Sequence, residues 1–150
     1  MKNKLLIIIT ILFFPLFSLA THQMKSAATL FNTLINCSSE KEMTEICQEK
    51  GLKYEGCQDG FQNYSYSDGT TIQFKMDSIA SDLTVPLIKT TVRDNKKNVE
   101  AMINSLRYIK NKDKYIRGHK YGRTQETVIL ETHPKDKTIT IICTKVKTNT

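Results

Sequence analysis

Two histidines are the residues of this chain whose type and spacing could do acid–base chemistry. His119 and His133 flank a strand-like stretch, residues 124–132, and lie among lysines and arginines that could hold a phosphodiester. One imidazole could then take a proton while the other gives one, as in a small ribonuclease. This pair defines one interpretation of the chain, a secreted hydrolase or toxin in which His119 and His133 are the acid and the base.

No diagnostic motif for catalysis or cofactor binding accompanies these histidines. The sequence contains no Gly-x-Ser-x-Gly elbow, no His-Glu-x-x-His and no phosphate-binding glycine loop. It also has no Cys-x-x-Cys pair and no histidine close to its first three cysteines, which disfavours zinc. The sequence therefore favours a non-enzymatic protein, and we predict no cofactor and no metal site.

The segment RYIKNKDKYIRGHKYGR, residues 107–123, is the strongest candidate for a binding surface. It carries seven basic side chains, three tyrosines and one histidine against a single acid, Asp113. Its glycines and Asn-Lys-Asp triplet disfavour a helix, and a long connection without secondary structure usually has a function. An inert solvated face is the alternative. The candidate binding residues are Arg107, Tyr108, Lys110, Lys112, Lys114, Tyr115, Arg117, His119, Lys120, Tyr121 and Arg123.

The first twenty residues, MKNKLLIIITILFFPLFSLA, have the pattern of a signal peptide. Two lysines precede an apolar run, and Ser18 and Ala20 are the small residues of a cleavage site. A membrane-spanning helix needs roughly 18 or more apolar residues, whereas this run is shorter and is interrupted by Pro15. We therefore expect residues 1–20 to be removed and residues 21–150 to form one domain, exported to the periplasm or the medium.

The charge distribution indicates which partners the exported domain could bind. Removal of the leader lowers the formal net charge from +7 to +5. Residues 89–123 carry eleven basic and three acidic side chains, whereas residues 21–88 carry five basic and nine acidic ones. A basic face of this kind suits an anionic envelope component or an acidic exported protein. Export disfavours nucleic acid as the partner.

Four cysteines, Cys37, Cys47, Cys57 and Cys143, predict two disulfides if the chain is exported. The sequence allows three pairings. The helical path from Cys37 to Gly51 spans about 21 Å, and the extended path from Gly51 to Cys57 spans about 20 Å. A chain reversal at Gly51 would bring these two cysteines level, which favours Cys37–Cys57 with Cys47–Cys143. The main competitor pairs Cys37 with Cys47 and Cys57 with Cys143.

Apolar periodicity predicts three helices. A first helix follows Ser26 and ends near Cys37. A second begins at a capping box formed by Ser39 and Glu42 and ends at Gly51. A third begins after Asp94 or Asn95 and buries the side chains Val99, Met102, Ile103, Leu106 and Ile109.

Alternating residues predict the strands. Two strands are predicted, one on either side of Ser67-Asp68-Gly69. We expect a three-residue loop between them with Gly69 in the left-handed conformation, because this loop places Tyr64, Ile72 and Phe74 on one face. Residues 84–93 contain Pro86 and therefore suggest an edge or outer strand. A final hairpin turns at His133–Lys137. These elements predict an α+β domain with an antiparallel sheet of four to five strands packed on two or three helices and joined by two disulfides.

Overall fold

Three short helices and one eight-stranded antiparallel sheet form the parts of the chain that the computed structural model describes, residues 26–118 and 123–148. The helices are α1 (26–34), α2 (Glu40–Glu49) and α3 (Lys96–Ser105). The strands are β1 (Lys53–Gln58), β2 (Phe61–Ser65), β3 (Thr71–Ala80), β4 (Leu83–Val92), β5 (Ile109–Asn111), β6 (Lys114–Gly118), β7 (Thr124–His133) and β8 (Thr138–Lys147).

The strand order β1-β2-β3-β4-β8-β7-β6-β5 divides the sheet into two four-stranded meanders. The first meander ends in the centre with β4, and α3 carries the chain across to the far edge. The second meander then returns from β5 to β8, which pairs with β4. The prediction of four or five strands is therefore wrong, and the strands β1 and β5 are the two edges of a wider sheet.

The helices cover one face of the sheet, which we call the helix face. Alternate strand residues point to it, and cross-strand partners such as Phe74, Ile88, Cys143 and Val128 form one row of buried side chains. These residues belong to the same core as Phe31 of α1 and the apolar stripes of α2 and α3. The opposite face, which we call the second face, is covered by none of the described helices and leaves Ile129 and Val146 exposed.

Several local predictions are confirmed. The Glu42 N–H donates to the Ser39 side chain (3.2 Å) at the start of α2, and the Asn95 side chain accepts from the Asn98 N–H (2.9 Å) at the start of α3. Gly69 has the left-handed conformation (φ 87°). The predicted final hairpin forms between β7 and β8. Short-range hydrogen bonds and glycine conformations were therefore readable from the sequence.

Two turns account for most of the strands that the sequence analysis missed. Asp59 and Gly60 have φ values of 52° and 78° and join β1 to β2 in a two-residue hairpin. The pair Asp-Gly is a strong signal for such a turn, and it was not recognised in the sequence. The second turn, at Lys112 and Asp113, folds residues 109–118 into a hairpin where we expected an irregular connection.

The position of Pro86 corrects the prediction that its strand lies at an edge. The strand β4 lies in the centre, between β3 and β8. Its pairing with β8 extends only from Leu87 to Val92, so Pro86 lies one residue beyond the ladder. The carbonyl of Pro86 accepts from the Thr144 hydroxyl (3.2 Å). A central strand tolerates this proline because position 86 does not have to donate a hydrogen bond to β8.

The prediction of two disulfides is also wrong, because all four cysteines are free thiols. Cys57 is exposed on the edge strand β1, whereas Cys37, Cys47 and Cys143 are buried. Cys57 and Cys143 lie four strands apart, about 19 Å at ~4.8 Å per strand, far beyond disulfide reach. Gly51 does turn the chain (φ 72°). However, the turn leads into an outer strand and leaves Cys57 away from the buried Cys37.

These positions predict that one thiol of the four reacts in the folded protein. Burial raises the pKa of Cys37 to about 11 and the pKa values of Cys47 and Cys143 to about 12. Their thiolate fractions at pH 8 are correspondingly small, and the thiolate is the nucleophile. Iodoacetamide followed by peptide mass spectrometry should label Cys57 first and the other three only in denaturant. Rapid labelling of a second cysteine without denaturant would contradict the burial.

The predicted signal peptide, residues 1–20, lies outside the described residues, so export stays a prediction. Because the thiols are free, disulfide pairing no longer supports export, which rests on the N-terminal sequence. Among the described residues, no helix is both long and apolar enough to span a membrane.

Candidate functional site

The sequence-predicted binding segment forms one edge of the sheet. After α3 ends, Arg107 adopts the left-handed conformation (φ 67°), and its N–H donates to the Asn104 carbonyl (2.9 Å). The chain then enters β5, turns at Lys112 (φ 58°) and returns as β6. We call residues 107–118 the basic hairpin. Its fold is fixed by strand pairing, so its charges are held in a defined arrangement.

Two of the three predicted tyrosines are not on the surface of this hairpin. Tyr108 is 2% exposed and Tyr115 is 4% exposed. The Tyr115 hydroxyl donates to Glu100 Oε1 (2.7 Å), and burial raises the pKa of Tyr115 to about 12. Burial also raises the pKa of Tyr108, with a further contribution from Cys143. These rings support the hairpin from beneath and offer no stacking surface to a partner.

Arg117 likewise points into the protein, where it forms a buried ion pair. Its Nη2 lies 2.6 Å from Glu126 Oε2, and the side chains are 20% and 2% exposed. The Tyr108 hydroxyl donates to the same oxygen (2.9 Å), and the guanidinium lies 4.4 Å from the centre of the Tyr108 ring. Arg117 also donates to the Leu106 carbonyl (2.9 Å) and to Asn32 Oδ1 (2.7 Å). This network joins α1, the end of α3 and β7 to the hairpin.

The remaining basic side chains divide into paired and unpaired groups. Lys110 lies 3.7 Å from Glu100, and Arg123 lies 2.8 Å from Asp82 and lowers the pKa of that carboxyl. Within the described part of the chain, no ion pair engages the other three cations. Two of these are exposed and one is half-buried. The unpaired cations are Arg107, Lys112 and Lys114.

The second face carries an aromatic and basic cluster that the sequence analysis missed. The ring of Phe61 has Lys75 Nζ 4.9 Å and Lys89 Nζ 4.6 Å from its centre. An open depression of about 470 Å³ lies nearby, lined by polar side chains such as Asn63 and Gln73. Recognition of the Asp59-Gly60 turn would have placed Phe61 in a strand, and alternation would then have shown its face.

One of the two histidines of the acid–base interpretation lies among the described residues. His133 ends β7, and its Nε2 lies 3.0 Å from the Thr140 hydroxyl. His119 lies outside the described residues, so the acid–base interpretation of the pair stays a prediction.

Lys120 and Tyr121 also lie outside the described residues. Among the residues that the structure describes, no group of three or more His, Cys, Asp or Glu side chains could hold a metal ion. No family model matches the chain, and no curated protein and no solved structure matches it.

Proposed function

We propose that this chain is an exported, non-enzymatic binding module that takes an anionic partner on the basic hairpin. The partner is an acidic exported protein or an anionic component of the cell envelope. The exported location rests on the signal-peptide pattern of residues 1–20.

The observation that carries the proposal is the set of unpaired cations at one edge of the sheet. Nearby basic side chains are neutralised by acids, as in the pairs Arg117–Glu126 and Arg123–Asp82. Arg107, Lys112 and Lys114 have no such acid among the described residues. Their field therefore extends into solvent and attracts an anionic surface over about a Debye length, ~8 Å at physiological ionic strength.

Rigidity of the hairpin also supports binding. Its inner side chains are anchored through the Tyr115–Glu100 hydrogen bond and the Arg117–Glu126 ion pair. A partner that binds the outer cations does not have to order the backbone that carries them. Pre-organisation of this kind lowers the entropic cost of association.

Charge reversal tests the proposal. The double variant Lys112→Glu with Lys114→Glu should slow association with poly-L-glutamate about tenfold and flatten its salt dependence, because exposed charges act mainly on the association rate. Stopped-flow fluorescence of a labelled probe measures both quantities. Vesicles containing phosphatidylglycerol serve as the probe for an envelope component.

The matched control is Lys41→Glu with Lys50→Glu, which changes the net charge equally at the two ends of α2. This control should lower association only slightly, since α2 packs over the other half of the sheet. Equal effects of the two double variants would show that net charge, and not the basic hairpin, attracts the anion. The proposal would then fail.

A further inference from the structure

The outermost strand of the basic hairpin presents unpaired backbone groups. Among the strands that the structure describes, β5 lies at the end of the sheet and pairs only with β6. A two-residue turn makes Asn111 and Lys114 a hydrogen-bonded pair, so the next pair, Lys110 with Tyr115, is of the non-hydrogen-bonded type. The N–H and C=O groups of Lys110 therefore point away from β6, towards the free edge.

The side chains along this edge differ between the two faces of the sheet. Ile109, which was predicted to be buried by the third helix, lies in β5 instead and is 71% exposed. It pairs with Ile116, which places it on the second face. Lys110, which pairs with the buried Tyr115, lies on the helix face, with its side chain 61% exposed. An added strand would thus meet an apolar side chain on one face and a cation on the other.

Charge decides which strand fits this edge. A second copy of the chain pairing antiparallel about Lys110 would place Lys110 opposite its own counterpart, and like charges directly opposite are destabilising. Lysines on an edge strand discourage self-pairing in the same way. Because Lys110 already lies 3.7 Å from Glu100, the unpaired Lys112 and Lys114 at the adjacent turn supply most of the attraction for a strand that carries acids.

We infer that the β5 edge binds an extended acidic segment of a partner protein by strand addition. The inference rests on the proposed function, since it gives the chemistry and the backbone geometry of the anionic partner. Main-chain hydrogen bonds to Lys110 set the register, the acids lie on the same face of the sheet as Lys110, and an apolar side chain covers Ile109 on the other face.

Two peptides of equal charge separate strand addition from electrostatic attraction. The probe is a capped seven-residue peptide of alternating Glu and Val, which can form a strand with its acids on one face. The control peptide alternates Glu and Pro, so it carries the same charge but lacks an N–H donor at each proline and disfavours pairing. We expect the first peptide to bind about tenfold more tightly than the second.

Two substitutions at Lys110 isolate the contribution of the backbone. Lys110→Gln removes the charge and keeps the N–H, whereas Lys110→Pro removes both. Proline is tolerated at this position of an edge strand, because the Lys110 N–H does not bond to β6. Lys110→Pro should weaken binding of the Glu-Val peptide about fivefold to tenfold beyond Lys110→Gln, since a hydrogen bond is lost.

Amide exchange of the unmodified protein keeps the test valid if Lys110→Pro fails to fold. The Lys110 amide should exchange quickly in the free protein and become protected when the Glu-Val peptide is added.

Three outcomes would contradict the inference. If both peptides bind equally without this protection, and the Lys112→Glu, Lys114→Glu variant binds them less tightly, strand addition is overturned and the proposed function stands. Peptide binding that is unchanged by this charge reversal would overturn both strand addition and the proposed function. Concentration-dependent dimerisation abolished by Lys110→Pro would identify a second copy as the occupant and overturn the inference.

Discussion

Arg117→Ala is expected to lower the free energy of unfolding by about 3 to 5 kcal/mol, because it removes a guanidinium that pairs with a buried carboxylate. Glu126 is 2% exposed, and its Oε2 accepts from Arg117 at 2.7 Å. The substitution also removes the donors to the Leu106 carbonyl and Asn32, which join the hairpin to α3 and α1. Urea unfolding followed by circular dichroism measures the loss.

The control for this prediction is Arg123→Ala. Arg123 forms a contact of similar length with Asp82, at 2.8 Å, but both side chains are largely exposed. Solvent screens such a pair, so we expect no measurable change in the unfolding midpoint. Arg117→Lys should give an intermediate loss, because lysine keeps the charge but cannot reproduce the planar fork of donors. Equal stability of the Arg117→Ala and Arg123→Ala variants would contradict the buried network.

Phe74→Ala is expected to cost about 3 to 5 kcal/mol, as for other fully buried aromatic side chains. Phe74 is 0% exposed and stacks on Tyr64, with ring centres 5.6 Å apart. The substitution removes a fully buried aromatic ring from its row of the helix face and leaves a cavity beneath the helices. Urea unfolding at 25 °C provides the measurement.

The matched variant is Phe61→Ala on the second face. Phe61 is only partly buried, between Lys75 and Lys89. Because Phe61 buries only part of its surface, we expect Phe61→Ala to lower the free energy of unfolding by about 1 kcal/mol. This is roughly half the free energy gained by fully burying such a side chain. A comparable cost for the two phenylalanines would show that the second face is covered in solution, contrary to the structure.

The extent to which the site could be predicted is clearest in the basic segment. Its charge was readable directly, and Lys112 and Lys114 lie at the edge as a surface assignment requires. Tyr108, Tyr115 and Arg117 were assigned to the same surface, but they face the helices. The alternation of side chains along β6 decides which residues face the helices. Because the turn at Lys112 was not predicted, the segment was not assigned to strands and this alternation could not be used.

Glu126 illustrates a residue whose role the sequence analysis missed. It lies two residues before Val128 in β7, so alternation alone places it on the helix face. A carboxylate at a core-facing position needs a partner. That partner, Arg117, comes from the neighbouring strand, and Tyr108 completes the pair from the residue before β5. Only the register between the strands brings them together.

The sequence by itself determined the short-range features: the cap at Ser39, a helix start at Asp94 or Asn95, the loop at Gly69 and the final hairpin. Each of these depends on residues within a few positions of one another, so the local chemistry is sufficient. The tertiary structure decided the strand order, the free thiols and the central position of the strand containing Pro86. These features depend on which distant strands pair and on the width of the sheet. Contacts between residues far apart in the chain determine the strand pairing and the width of the sheet. These contacts cannot be inferred from a single sequence.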